Sequence, residues 1–445
     1  MSPKERCVAM NQLRVYVVLF VILSALSVSA YAGDLLSYIK IPDTSYKWEK
    51  VSQIEESNQT RYILKMTSQT WQNITWTHDI EIVKPAKCDY PDTALLFITF
   101  GKVGDWESKA ASIIASETGC PITILYGIPN QPLFDGKRED ALIAHTFIKA
   151  METGDDTWPL LFPMTKSAVR AMDAIQAFSR QDLKQEIKGF VVSGASKRGW
   201  TTWLTAAADP VRVKGIAPMV YDNLNLSRQM AHQVECWGKY SSMIDDYTNL
   251  GIQEALQTEK GKYLAGIVDP WSYRSRIKMP KLIINGTNDP YWTQDSLNIY
   301  WDDLIGTKHV LYVPNCGHDL SDPIRVLTAL TAFTRTIASK SELPKLTWDS
   351  KLKEDGLLLT IKTDSASRSA TVWTVKSDTQ DFRKSKWEAM PTDPIDGGYQ
   401  ALVSLPKSGY LAVLGEVPII TAGRSCMLST QVYILDSKGL ITVSK

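Results

Sequence analysis

Ser196, Asp289 and His318 are the residues of this chain whose types and settings suit nucleophilic acyl transfer. A serine hydroxyl is a weak nucleophile. A histidine must take its proton during attack and return it to the leaving group, while a carboxylate fixes the histidine tautomer and steadies the imidazolium. Ser196 lies in Val191-Val192-Ser193-Gly194-Ala195-Ser196-Lys197-Arg198-Gly199-Trp200, where a β-branched run ends in a small-residue turn and a helix-like segment follows at once. That is the layout of a nucleophile elbow, which lifts a serine clear of a sheet. Asp289 ends Lys281-Leu282-Ile283-Ile284-Asn285-Gly286-Thr287-Asn288-Asp289, and His318 ends Val310-Leu311-Tyr312-Val313-Pro314-Asn315-Cys316-Gly317-His318. Each is an apolar strand-like run followed by a glycine-containing turn. His78, His145, His232 and His309 are rival bases that follow no such turn in the needed order, and Tyr221-Asp222 supplies the best rival acid.

The groups around the serine are less regular. An oxyanion hole needs preset donors; the Lys197 amide is one, and the turn Gly101-Lys102-Val103-Gly104 is expected to supply the other through Gly101 or Lys102. No His-Gly-Gly-Gly motif occurs there. Arg198 occupies the position where an elbow ordinarily has its second glycine, and Gly199 follows one residue later. Lys197 and Arg198 place two cations beside the nucleophile, to meet an acidic substrate group, to support the oxyanion, or to form surface salt bridges. Arg198, Trp200, Trp292 and Trp237 are the expected substrate-binding residues. This chemistry needs no cofactor and no metal.

The elements that must hold these groups alternate between residues 94 and 335. Runs at 94–100, 122–126, 189–192, 213–220, 281–284 and 310–313 are almost continuously apolar, as strands covered on both faces require. Helix-period segments at 138–151, 163–180 and 326–338 lie between them; in the second, Ala168, Met172, Ile175 and Phe178 share a face. The alternation predicts an α/β fold with a doubly wound, mostly parallel sheet. The order serine, aspartate, histidine at strand ends is that of α/β-hydrolases. Residues 74–82 alternate strictly and predict a half-exposed antiparallel strand. An insertion at about 222–279, containing Trp237, Tyr240, Tyr263 and Trp271, is expected either as a lid over the strand ends or as ordinary surface helices. From about 344, short alternating strands predict a small C-terminal β-sandwich, residues 344–445, after a hydrolase domain at 33–343.

The first 32 residues read as an export signal. Lys4, Arg6 and Arg14 precede an apolar run ending in Ala30-Tyr31-Ala32. Its removal takes away Lys4, Arg6, Arg14 and Glu5, a net +2, and the formal charge falls from +1 to −1. A near-neutral chain without a basic block does not point to nucleic acid or an anionic membrane as its main partner. A secreted location is expected, or a periplasmic one in a bacterium, with no stable membrane insertion after cleavage. Of the six cysteines, Cys88, Cys120, Cys236, Cys316 and Cys426 lie beyond the signal. No Cys-X-X-Cys pair or metal-ligand spacing appears, so zinc is not expected. One or two disulfides are expected instead, with Cys88–Cys120 as one pairing. Asn58, Asn73, Asn225 and Asn285 begin glycosylation sequons, the last just after a buried-looking strand.

Several blocks carry a family resemblance. Pro129-Asn130-Gln131-Pro132-Leu133, Arg138-Glu139-Asp140-Ala141-Leu142-Ile143-Ala144, Trp158-Pro159-Leu160, Pro163-Met164-Thr165-Lys166, Ser196-Lys197-Arg198-Gly199-Trp200, Asp269-Pro270-Trp271-Ser272-Tyr273-Arg274 and Asn285-Gly286-Thr287-Asn288-Asp289 resemble the PhoPQ-activated pathogenicity-related protein family. The resemblance implies an exported α/β-hydrolase-like protein, in a family with virulence-associated and growth-repressing members. The Ser-Lys/Arg-X-Gly elbow is also similar to that of glucuronoyl esterases. Two functions follow as expectations. One is a secreted serine hydrolase acting on a small-molecule, glycan or peptide ester; the other is a secreted signalling or binding protein that meets a cell-surface receptor and keeps the hydrolase fold as a scaffold.

Overall fold

A computed structural model describes residues 33–441 and 443, apart from 366 and 368; the expected export signal lies outside the described residues. Three long strands, β1 (Lys47–Glu56), β2 (Gln59–Trp71) and β3 (Ile74–Pro85), form an antiparallel meander. The alternation along β3 aims Trp76, Ile80 and Ile82 into the core. Six strands then run parallel: β4 (Thr93–Ile98), β5 (Ile122–Leu125), β6 (Gly189–Ala195), β7 (Val213–Met219), β8 (Lys281–Gly286) and β9 (Lys308–Val313). The sheet order is β1-β2-β3-β5-β4-β6-β7-β8-β9. From β2 onward this is the strand order of the α/β-hydrolase fold.

Helices on both faces explain the continuous apolar runs. Leu96, Phe190 and Val192 pack into one core with Ala168, Met172, Ile175 and Phe178 of the helix Leu161–Gln181 and with Trp203 and Leu204 of the helix Lys197–Ala208. Their strand neighbours Leu95 and Val191 point the other way, against Ala111 and Ile114 of the helix Trp106–Thr118 and Leu330 and Phe333 of the helix Pro323–Ala338. A strand with no solvent face has no polar residues to alternate.

The C-terminal strands divide between two sheets. β10 (Leu346–Lys353) and β11 (Gly356–Thr363) pair with each other. β12 (Thr371–Ser377), β13 (Glu388–Pro391), β14 (Asp393–Ile395), β15 (Gly398–Val403), β16 (Tyr410–Thr421), β17 (Arg424–Ser429), β18 (Tyr433–Asp436) and β19 (Gly439–Ile441) follow. The four-stranded sheet β10-β11-β15-β14 stands alone, whereas β17-β16-β12-β13 continues the large sheet. The join is short: Ser429 pairs with Val310, and its Oγ accepts the Tyr312 amide at 3.0 Å. The two sheets meet face to face, since a Cβ at Gly415 would lie 2.3 Å from Ile361 Cδ1. A sandwich with one of its sheets fused to the parallel sheet is therefore the observed arrangement.

The five described cysteines are all free thiols, so the expected disulfides, Cys88–Cys120 included, are not formed. Cys120, Cys316 and Cys426 are buried and used as small apolar residues, which is a common role for a thiol that never reaches solvent. Among the sequons, Asn58 and Asn73 sit exposed on turns and Asn285 is buried within β8. Among the described residues, no helix is long and apolar enough to cross a membrane.

Candidate active site

The chain reverses its direction of sheet growth between β4 and β6, since β5 lies on one side of β4 and β6 on the other. A crevice opens at the carboxyl ends of strands where this happens. Ser196 stands in it, directly after β6, with φ 58° and ψ −123°. Its amide donates to the Met219 carbonyl at 2.9 Å, and its carbonyl accepts from Trp200 N at 3.0 Å. Such a backbone costs a non-glycine residue roughly 1–3 kcal/mol and persists because its surroundings dictate it. Two glycines do so here. A Cβ at Gly194 would lie 2.8 Å from both Cβ and the carbonyl oxygen of Arg198, and one at Gly199 would lie 2.8 Å from the Met219 carbonyl oxygen. The first glycine keeps its usual place at 194 and the second requirement has moved one residue on, to 199, so Arg198 is tolerated between them.

The acid and the base follow β8 and β9, beyond the intervening β7. His318 Nε2 lies 2.9 Å from Ser196 Oγ, and His318 Nδ1 lies 2.8 Å from Asp289 Oδ2. Asp289 is buried, and its other oxygen accepts the Tyr291 amide at 2.9 Å. The Tyr291 ring lies against the imidazole, centroids 4.1 Å apart at an angle of 31°. Proton transfer from Ser196 to Nε2, with Asp289 holding the Nδ1 proton, is what this geometry permits chemically. The rival groups sit elsewhere. His78 is buried between Ser68 Oγ and the Tyr126 carbonyl, and desolvation lowers its pKa to about 4 despite the opposing hydrogen bond to that carbonyl. His145 packs against Phe134 and Trp158, and His309 is buried in β9. Asp222 accepts from Tyr300 Oη at 2.5 Å rather than meeting His318, and burial pushes its carboxyl up to about 7.

The two cations beside the serine are both engaged. Arg198 is 3% exposed. Its Nε donates to the Ile128 carbonyl at 2.6 Å, while Nη1 and Nη2 grip the Glu139 carboxylate at 2.6 and 2.5 Å. Burial would raise the Glu139 pKa, but Arg198, Gln131 and Lys197 hold it below the usual range. The Gln131 side chain binds Glu139 twice, accepting its amide and donating to its carboxylate. Lys197 Nζ pairs with Asp140 Oδ2 at 2.5 Å. Asp140 also receives the hydroxyls of Tyr247 at 2.9 Å and Tyr291 at 3.4 Å. The Pro-Asn-Gln-Pro, Glu-Asp and Ser-Lys-Arg-Gly blocks, distant in sequence, thus form one buttress beneath the elbow.

Two cavities open beside Ser196. One, of about 70 Å³, is lined by Phe147, Trp200, Leu226, Met230, Ile252 and Trp292 among others, with Lys197 and Asp140 at its polar end. The helix Leu226–Trp237 and the short helices around residues 242–256 line it on the side away from the sheet, so this part of the insertion covers the cavity beside the serine. The other, of about 290 Å³, touches Phe97, Phe100, Trp106, Lys197, Arg198 and His318. Trp200 and Trp292 therefore reach the first cavity. Trp237 reaches neither; it stacks on the Arg383 guanidinium, 3.9 Å from the ring centre. The Lys197 amide, in the first turn of its helix, has no intrahelical acceptor. The Gly101 and Lys102 amides are spent within their own turn, on Thr99 Oγ1 at 3.2 Å and Asp105 Oδ2 at 2.8 Å. Phe100, one residue earlier, is the part of that turn facing Ser196 and His318 across the second cavity. Glu139, Asp140, Tyr247 and Tyr291 are the site residues that local sequence patterns passed over.

Comparison with known proteins adds ancestry to this geometry. The model of PhoPQ-activated pathogenicity-related proteins matches residues 35–383. Autocrine proliferation repressor protein A of Dictyostelium discoideum is 32% identical over 447 residues, covering 92% of this chain and 90% of that protein. Among solved structures, acetyl xylan esterase 1 from Thermoanaerobacterium sp. JW/SL YS485 aligns with 68% of this chain and 91% of its own at 14% identity, TM-score 0.48. S-formylglutathione hydrolase from Agrobacterium tumefaciens aligns with 66% of this chain and 100% of its own at 13% identity, TM-score 0.45. The fold itself is read from strand order and strand-end positions.

Proposed function

Since the chain belongs to the PhoPQ-activated pathogenicity-related protein family, we propose that it is an exported serine hydrolase of the esterase type, acting through an acyl-enzyme on Ser196. The observation that carries this reading is the unbroken hydrogen-bonded chain Ser196–His318–Asp289 on a strained strand-to-helix turn. His318 takes the serine proton as Oγ attacks the ester carbonyl and passes it to the departing alcohol. The Lys197 amide and the amide of Phe100 are the proposed donors to the tetrahedral oxygen. The apolar cavity under the lid takes the acyl group. A water needs about 10–15 Å³ of such space and occupies about 30 Å³ of liquid, so a cavity of about 70 Å³ suits a short aliphatic chain or a single aromatic ring. The alcohol leaves through the wider cavity past Phe100 and Trp106.

Labelling with a fluorophosphonate probe tests the reading. Wild type is expected to label and Ser196→Ala, folded by circular dichroism, is not; equal labelling of the two would overturn it. A second reading has its own support: the relative sharing 32% identity is named as a proliferation repressor. In that case the protein is an extracellular growth-repressing signal that binds a cell-surface receptor, and the two roles are compatible. Folded Ser196→Ala protein that still represses growth would separate signalling from hydrolysis.

A further inference from the structure

We propose that His232, Cys236 and Asp295 hold a structural zinc ion that pins the lid to the loop bearing Asp289. His232 and Cys236 are four residues apart on the helix Leu226–Trp237 and so share one face. Asp295 lies six residues after Asp289, where the acid loop turns back toward that helix. One donor atom from each comes within 4.8 Å of the other two. His232 and Asp295 are buried, and Cys236 is partly buried.

The separations suit a tetrahedral ion. Zinc bonds of about 2.3 Å to sulfur and about 2.0 Å to nitrogen set those two atoms about 3.5 Å apart. Cys236 Sγ lies 3.5 Å from His232 Nε2 and 3.8 Å from Nδ1, so the imidazole or the thiol must turn for the Nε2 lone pair to face the sulfur's ion. His232 Nε2 and Asp295 Oδ1 are 2.8 Å apart, so admitting the ion spreads them by about half an ångström. The other ring nitrogen is already committed. Nδ1 faces Glu235 Oε2 at 3.3 Å, and Arg228 fixes that carboxylate with two hydrogen bonds of 3.1 and 2.9 Å. Metal-binding histidines characteristically give their second N–H to a carboxylate, which leaves Nε2 to coordinate. Gln380 Oε1, 3.4 Å from Cys236 Sγ, supplies a neutral oxygen for the fourth position. One thiolate and one carboxylate balance the ion's charge, and a mixed sulfur, nitrogen and oxygen set favours zinc over magnesium or calcium. Binding releases two protons to solvent, one from the Cys236 thiol and one shared between His232 and Asp295.

The site ties three distant segments together: the lid helix, the acid loop and, through Gln380, the strand region after β12. It does not depend on the esterase reading, because none of its donors touches Ser196. The test uses the full mature chain stripped of metal with a chelator. Titration with cobalt(II) is expected to give a thiolate-to-cobalt charge-transfer band in the near ultraviolet that saturates at one equivalent and is displaced by zinc. Folded Cys236→Ser should lose the band and His232→Ala should lose binding. No band in wild type, or an unchanged band in Cys236→Ser, would overturn the proposal. Should either variant fail to fold, alkylation of wild type decides: zinc is expected to slow iodoacetamide modification of Cys236 at least tenfold, and equal rates with and without zinc would overturn it.

Discussion

Replacing Arg198 by methionine discriminates between a buttress and a substrate ligand. In the structure the guanidinium spends three donors internally, two on Glu139 and one on the Ile128 carbonyl. Removing one partner of a buried pair costs about 3–5 kcal/mol. Glu139 retains 35% side-chain exposure, which with its Gln131 contact reduces that to about 2–3 kcal/mol. The orphaned Ile128 carbonyl adds about 1 kcal/mol, for a total near 3–4 kcal/mol. An unfolding entropy of about 2.1 cal/mol/K per residue over about 410 residues converts this to a fall in Tm of about 4 °C. Thermal unfolding of Arg198→Met, Glu139→Gln and the double variant forms the decisive cycle. If the pair is the source of the cost, the double variant is little worse than either single, with a coupling of at least about 1.5 kcal/mol. Hydrolysis of a neutral and an anionic ester should fall by the same factor in Arg198→Met. Additive losses within about 0.5 kcal/mol, together with a defect confined to the anionic ester, would refute the buttress.

Three further outcomes follow from the geometry. Met230→Trp fills the cavity under the lid, so kcat/KM for a butyrate or benzoate ester should drop at least tenfold while acetate stays within about threefold; a uniform loss would remove the acyl assignment. Asp222→Asn should retain activity, because Asp222 does not meet His318. The Asp222 pKa is raised to about 7 from an ordinary 3.8. The folded state therefore holds a proton that the unfolded state has lost, and wild type loses stability as pH rises from about 4 to 7. The asparagine variant should escape that loss, worth at most about 4 kcal/mol, and parallel Tm-against-pH curves for the two proteins would contradict it. Denatured, unreduced mature protein should titrate five thiols with a disulfide reagent, and three or fewer would restore the expected bridges.

The parts legible in the sequence are those that a strand or helix writes into consecutive residues. β6, β8 and β9 each appear as apolar runs because both faces are covered, and each run delivers one reactive residue at its carboxyl end. What stayed hidden depends on contacts across the chain. The stripe Leu226, Met230, Gln233, Trp237 has helical spacing, but Trp237, the last residue before the helix stops at Gly238, stacks on Arg383 instead of lining the cavity. Its partner Arg383 comes from the C-terminal region, to which no local pattern points. The spent amides of Gly101 and Lys102 were closer to being readable, since Thr99 and Asp105 are two and three residues away and such side chains commonly take up turn amides. The four-residue step from His232 to Cys236 is no metal-ligand pattern by itself; only Asp295, brought in by the acid loop, gives the pair chemical meaning.

Lys197 and Asp140 link the lid to the reacting groups. Asp140 holds the Lys197 ammonium, the hydroxyl of the lid residue Tyr247 and the hydroxyl of Tyr291, whose ring packs at a tilt against His318. One carboxylate therefore touches both the lid and the ring packed on the imidazole, whose Nδ1 Asp289 holds. Loosening either side need not touch Ser196 to disturb the proton path, since a displacement of about 1 Å among catalytic groups can cost a hundredfold in rate. Tyr247→Phe, which deletes one hydroxyl from the lid and leaves its packing in place, is thus expected to lower kcat several-fold with little change in KM. A loss in KM alone would mean that the lid serves only to bind substrate.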